Sequence, residues 1–70
     1  MIFKLEANGE NKWVIKNEVG ETVGDAQRLA TGYLITEIGT DNVVKRFRFI
    51  DALKEAFGVE NTFENMPGKS

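Results

Sequence analysis

Neither cysteine nor histidine occurs in this chain of 70 residues, and that double absence confines it to a fold held together by apolar packing. A chain of this size buries only about 60% of the surface its unfolded form exposes, so small domains often recruit a disulfide, a structural metal or a second subunit. Without cysteine there is no disulfide, thiolate metal site or cysteine nucleophile. Without histidine the commonest metal-binding and general-base side chain is gone as well. Only oxygen ligands for a hard cation remain, and self-association is the one stabilising helper left open. Hydrophobic residues at 41% against 29% charged nevertheless fit a packed core, since disorder goes with few apolar residues and charge of one sign. One domain over residues 1–64 is expected. The polar run Asn65-Met66-Pro67-Gly68-Lys69-Ser70 offers little to pack and reads as a flexible tail over 65–70.

Alternation predicts most of the secondary structure. Phe3, Leu5 and Ala7 alternate with Lys4 and Glu6, and beyond Asn8-Gly9-Glu10-Asn11 the chain resumes with Trp13 and Ile15 between Lys12 and Lys16. That is a hairpin over about 2–7 and 11–17, with Asn8-Gly9 as the turn signal. The register that sets Phe3 opposite Ile15 and Leu5 opposite Trp13 gives one consistent buried face and is preferred. A second hairpin is expected over about 33–38 and 43–49 around Gly39-Thr40-Asp41-Asn42. In it Ile38 faces Val43, Thr36 faces Lys45 and Leu34 faces Phe47 on the core side, with Phe49 beyond. Tyr33, Ile35, Glu37, Val44, Arg46 and Arg48 then share the outer face. Lys45 is the blemish on the core side, tolerable only if its stem lies along apolar surface.

Two helices complete an α+β fold. Asp25 is placed to cap a short helix near 25–31 that gathers Ala26, Leu29 and Ala30 on one side and stops at Gly32. A C-terminal helix near 50–57 clusters Leu53, Ala56 and Phe57 ahead of Gly58. Val59 and Phe63 are expected to tuck a last turn against the core. The rival to strand-then-helix is a single helix from Asp41 to Phe57 with Val43, Phe47, Ile50, Leu53 and Phe57 on its stripe. Valines and phenylalanines alternating with cations fit a pleated surface better.

Chemistry-bearing patterns are sparse. Lys45-Arg46-Phe47-Arg48-Phe49 alternates basic and aromatic residues in the manner of a nucleic-acid-binding strand. With the phenylalanines inward, only Arg46, Arg48 and Tyr33 are offered to a ligand, and a solvated sheet face is the better explanation of them. The carboxylates Glu6, Glu10, Glu18, Glu21 and Asp25 show no EF-hand spacing and read as a solvated acidic surface. Gly20-Glu21-Thr22-Val23-Gly24-Asp25 lacks the lysine of a phosphate loop, and its two acids would repel a phosphate. No threonine has a histidine to activate it, and Ser70 lies in the terminal run. The expectation is therefore a non-enzyme without cofactor or metal.

The function expected is a small protein-binding regulatory or accessory module, of the compact kind made by phages and other mobile elements, that masks or bridges a surface of a larger partner. Trp13, Tyr33, Arg46 and Arg48 are the candidate partner-binding residues, because aromatic and arginine side chains dominate interface energetics. The alternative is single-stranded nucleic-acid binding through a face made by Tyr33, Arg46 and Arg48. A net charge of −2 argues against binding driven by bulk charge. No apolar run approaches a membrane span, and Met1-Ile2-Phe3-Lys4 lacks the layout of a signal peptide, so a cytoplasmic location without membrane contact is expected. Self-association through a strand edge or the Phe63 segment is the structural alternative.

Overall fold

The structure is a computed structural model that describes residues 1–67. Its elements in chain order are β1 (Ile2–Ala7), β2 (Lys12–Lys16), β3 (Thr22–Leu29), β4 (Gly32–Glu37), β5 (Val43–Arg46), α1 (Phe49–Phe57) and β6 (Thr62–Glu64). The strands form one six-stranded sheet in the order β5-β4-β3-β2-β1-β6. Neighbours pair antiparallel from β1 to β5, and β6 joins β1 in parallel. The sheet curls into a half-barrel with α1 as its one short helix. The expected α+β class therefore holds, while two separate hairpins are replaced by a continuous mixed sheet.

The first hairpin forms where alternation places it, with the expected buried face. Its register is Leu5 opposite Ile15 and Ala7 opposite Trp13. The pairing is displaced by two residues from the expected one, and in the longer loop Gly9 (φ 105) and Asn11 (φ 59) both take left-handed conformations. The loop is then closed by a hydrogen bond from the Asn8 N–H to the Lys12 carbonyl at 2.8 Å. Parity is unchanged, so Phe3, Leu5 and Ile15 still point to one core.

The short helix expected near 25–31 does not form. Those residues belong to β3 and the turn after it, and β3 is paired on both sides, by β2 and by β4. Two ladders of backbone hydrogen bonds outweigh a helical preference built on one cap and two alanines. Read with a period of two, the same residues are coherent: Gly24 and Ala26 are buried while Asp25 and Gln27 are exposed. A Cβ on Gly24 would lie 2.7 Å from Cζ of Phe57, so glycine here lets the end of α1 rest on the strand. A bulge at Ile15/Lys16, opposite Val23, adds curvature in the same region.

The second hairpin is the larger correction. Tyr33 pairs with Arg46, Leu34 with Lys45, Ile35 with Val44 and Thr36 with Val43. Ile35 and Val44, assigned to the outer face from sequence, are core residues at 0% and 6% exposure. The inversion comes from Phe47 and Phe49, which the sequence reading continued along the strand. The chain leaves the sheet after Arg46, leaving Phe47 80% exposed, and Phe49 reaches the core from the first turn of α1 at 1%. Lys45 stands on the outer face, where its charge meets water.

Helix α1 spans the expected region. Phe49, Ala52, Leu53, Ala56 and Phe57 recur with helical spacing and face the sheet. Burial of a large apolar side chain such as Phe49 or Leu53 contributes about 1.5–3 kcal/mol each. Gly58, at φ 114, ends the helix, its N–H donating to the Lys54 carbonyl at 2.8 Å. Where a last turn tucked against the core was expected, Thr62–Glu64 adds β6, and the buried Phe63 ring stacks on Phe3 with centroids 5.6 Å apart. Val59 stays outside the core. In the expected tail, Met66 packs against the core, and residues 68–70 lie outside the described residues.

Candidate functional site

Alternating strand direction sorts the connections between two ends of the half-barrel. One end carries the β1–β2 loop, the Ala30-Thr31 turn between β3 and β4, and Phe47-Arg48, the crossing from β5 to α1. Between the turn and the crossing lies a cleft of about 410 Å³ whose walls include Arg28, Leu29, Tyr33, Phe47, Arg48 and Ile50. Gly32 brings the two walls together: it sits at φ 142, and a Cβ there would lie 2.4 Å from the Arg46 carbonyl oxygen. A side chain at this position would push the β5–α1 crossing away from the turn.

Behind the cleft stands an aromatic stack. Phe49 lies 4.4 Å from Tyr33 at an interplanar angle of 13°, and Trp13 meets Phe49 at 5.2 Å and Tyr33 at 6.3 Å. Offset and tilted ring contacts of this kind contribute about 0.5–1.5 kcal/mol each beyond area burial. Trp13 and Tyr33 are thus half-buried in packing, with Tyr33 forming part of the cleft wall.

The arginines divide into two kinds. Arg46 is engaged: one guanidinium nitrogen donates to Glu55 Oε2 at 2.6 Å, and the other donates to the Lys45 carbonyl at 2.6 Å. Arg48 occupies the N-cap position of α1, where its carbonyl accepts the Ala52 N–H at 3.1 Å and its side chain makes no cap. Arg28 sits across the ladder from Tyr33. Among the described residues, neither the Arg28 nor the Arg48 side chain has an ion-pair or hydrogen-bond partner.

Of the residues singled out from sequence, Tyr33 and Arg48 line the cleft, Trp13 supports it through Phe49, and Arg46 is turned aside to Glu55. The outer sheet face imagined for Tyr33, Arg46 and Arg48 does not form, because Tyr33 and Arg46 stand on the side that α1 covers and Arg48 lies beyond the strand. Arg28 carries no signal in the sequence pattern, and Phe47, expected on the core side, is exposed instead. Reading Ala30-Thr31 as a two-residue hairpin turn sets Arg28 opposite Tyr33.

A shallower depression of about 280 Å³ on the outer face mixes Lys12 and Asp25 with Leu34 and Thr36. No group of acidic residues among the described residues is arranged to hold a metal ion. No helix there is long and apolar enough to cross a membrane. Comparison of the chain with protein-family models, curated proteins and solved structures finds no match.

Proposed function

We propose that this chain is a non-catalytic protein-binding module that seats a segment of a larger partner in the cleft between the Ala30-Thr31 turn and the β5–α1 crossing. The observation that carries the reading is Phe47. A phenylalanine held 80% exposed at the mouth of a cleft, beside two guanidinium groups with no ion-pair or hydrogen-bond partner among the described residues, is suited to anchor a partner. Aromatic and arginine side chains at the rim of an apolar depression are the residues from which binding hot spots are built. Leu29 and Ile50 supply apolar wall, and the stack behind keeps that wall rigid, which limits the ordering cost on binding.

The test is affinity capture from the native source with the parent chain and with Phe47→Ala, followed by titration of the captured protein against both. A stoichiometric protein held by the parent and released by the substitution supports the reading. Recovery of nucleic acid in place of protein, or of the same protein with equal affinity by both chains, overturns it.

A further inference from the structure

The end of the half-barrel opposite the cleft carries the complementary character. It is formed by the β2–β3 loop over 17–21, the β4–β5 turn over 38–42 and the segment after α1 over 58–61. These connections hold Glu18, Glu21, Asp41 and Glu60 and no lysine or arginine. Val19 and Val59 stand among the acids at 79% and 75% exposure. The nearest cations are Lys16, paired with Glu6 at 3.2 Å, Lys54 in the last turn of α1, and the terminal amino group. The cleft end bears Arg28, Arg48 and Lys12 against Glu10 and Asp51, with Arg46 and Glu55 offsetting each other as an ion pair. A chain whose net charge is only −2 is thus polarised along its strands.

We propose that copies of this chain associate head to tail, the acidic end of one, carrying Glu18, Val19 and Asp41, seating in the Arg28–Phe47–Arg48 cleft of the next. Each side supplies what the other lacks. The cleft has guanidinium groups without ion-pair or hydrogen-bond partners among the described residues and an apolar floor, while the loops have exposed carboxylates flanking an exposed valine. The carboxylates are not all idle: Glu18 Oε2 accepts the Ile2 N–H at 3.4 Å and Glu21 Oε1 accepts Asn17 Nδ2 at 3.1 Å. Asp41 has neither kind of contact. Because the joined surfaces differ and lie at opposite ends, the contact is heterologous and passes from copy to copy without closing on a two-fold axis. The area available in one cleft and one loop end is small, so the association is weak and strongly screened by salt. It rests on the cleft being a binding surface but needs no larger partner, and such a partner would compete with the neighbouring copy.

Sedimentation equilibrium of the full chain over a range of loading concentrations tests this, at ionic strengths near 0.01 M and 1 M, where the screening length falls from about 30 Å to about 3 Å. The proposal requires an average mass that climbs with concentration without levelling at a dimer in low salt, and a monomer in high salt. Arg28→Glu with Arg48→Glu should weaken the association at least about tenfold, as should Glu18→Lys with Asp41→Lys, since each puts like charges across the contact. Mixing the two doubly substituted chains should restore it, because every junction in the mixture again joins opposite charges. All of these residues are exposed, and circular dichroism of each variant checks that it is folded. A parent that stays monomeric in low salt, a plateau at dimer, association indifferent to salt, or a mixture no more associated than its components overturns the proposal. A monomeric parent that still captures a protein through Phe47 would leave the partner reading standing alone.

Discussion

Phe47 and Phe49 are near neighbours in the chain, yet the structure gives them opposite fates, and separate substitutions make that difference measurable. Phe49 is 1% exposed and meets both Trp13 and Tyr33. Truncating a buried phenylalanine costs about 3–5 kcal/mol, which equals the whole net stability of about 3–5 kcal/mol that a core of this size supplies. Phe49→Ala should therefore be largely unfolded at room temperature. Phe49→Leu is the graded version. It keeps most of the apolar volume, for which swaps cost less than about 1.5 kcal/mol, and gives up two ring contacts at about 0.5–1.5 kcal/mol each. A net loss of about 1–4.5 kcal/mol follows, and with a urea dependence of about 1 kcal/mol/M the unfolding midpoint should fall by at least about 1 M. Phe47→Ala should stay within about 0.5 kcal/mol of the parent. Trp13, the single tryptophan, touches Phe49 and reports the transition by its fluorescence. If Phe47→Ala lowers the midpoint as far as Phe49→Leu does, the strand continues past Arg46 and the cleft as described does not exist.

Gly32→Ala should destabilise by several times more than Gly39→Ala in the same urea experiment. Both glycines have positive φ, but the added carbon at Gly32 meets the Arg46 carbonyl at 2.4 Å, whereas at Gly39 nothing lies within 4 Å. A double-mutant cycle on Arg46 and Glu55, both about half-exposed, should return a coupling of about 0–1 kcal/mol, and a value well above that would mean the pair is shielded from water. Asn17→Ala should cost about 1 kcal/mol, because its Oδ1 accepts the N–H groups of Val19 at 3.1 Å and Glu21 at 2.9 Å and shapes the β2–β3 loop. Amide exchange at Val19 and Glu21 should quicken in that variant, and unchanged rates would contradict the assignment.

How much of this was legible in the sequence depended on whether a local signal and the long-range pairing agreed. In β1 and β2 the alternation, the Asn8-Gly9 turn and the buried face pointed the same way, and only the register slipped. In Asp25 to Leu29 a cap residue and two alanines made a local helical pattern, while membership of a strand was decided by β2 and β4 on either side. Lys45 was the clue that mattered in the second hairpin. A lysine opposite a core position meant that the assumed face was the wrong one, and moving the end of β5 back to Arg46 removes the conflict. The cleft was half visible: Tyr33 and Arg48 were chosen by residue type, whereas Arg28 and Phe47 depend on a hairpin turn and a strand end that local preference did not locate. The parallel pairing of β6 with β1 had no local signal, since three residues make no period.

That last pairing bears on the order in which the molecule is built. The neighbours from β1 to β5 are joined by short loops, so their ladders close over small sequence distances and at low entropic cost. Phe3 and Phe63 are far apart in the sequence yet adjacent in the sheet, so their union closes over a long stretch of chain. On a ribosome, β1 must wait with one edge uncovered until Thr62–Glu64 have emerged, while the β2–β5 meander is already free to form. The half-finished protein is thus a sheet with an open hydrophobic seam, and the final strand closes it in one late step.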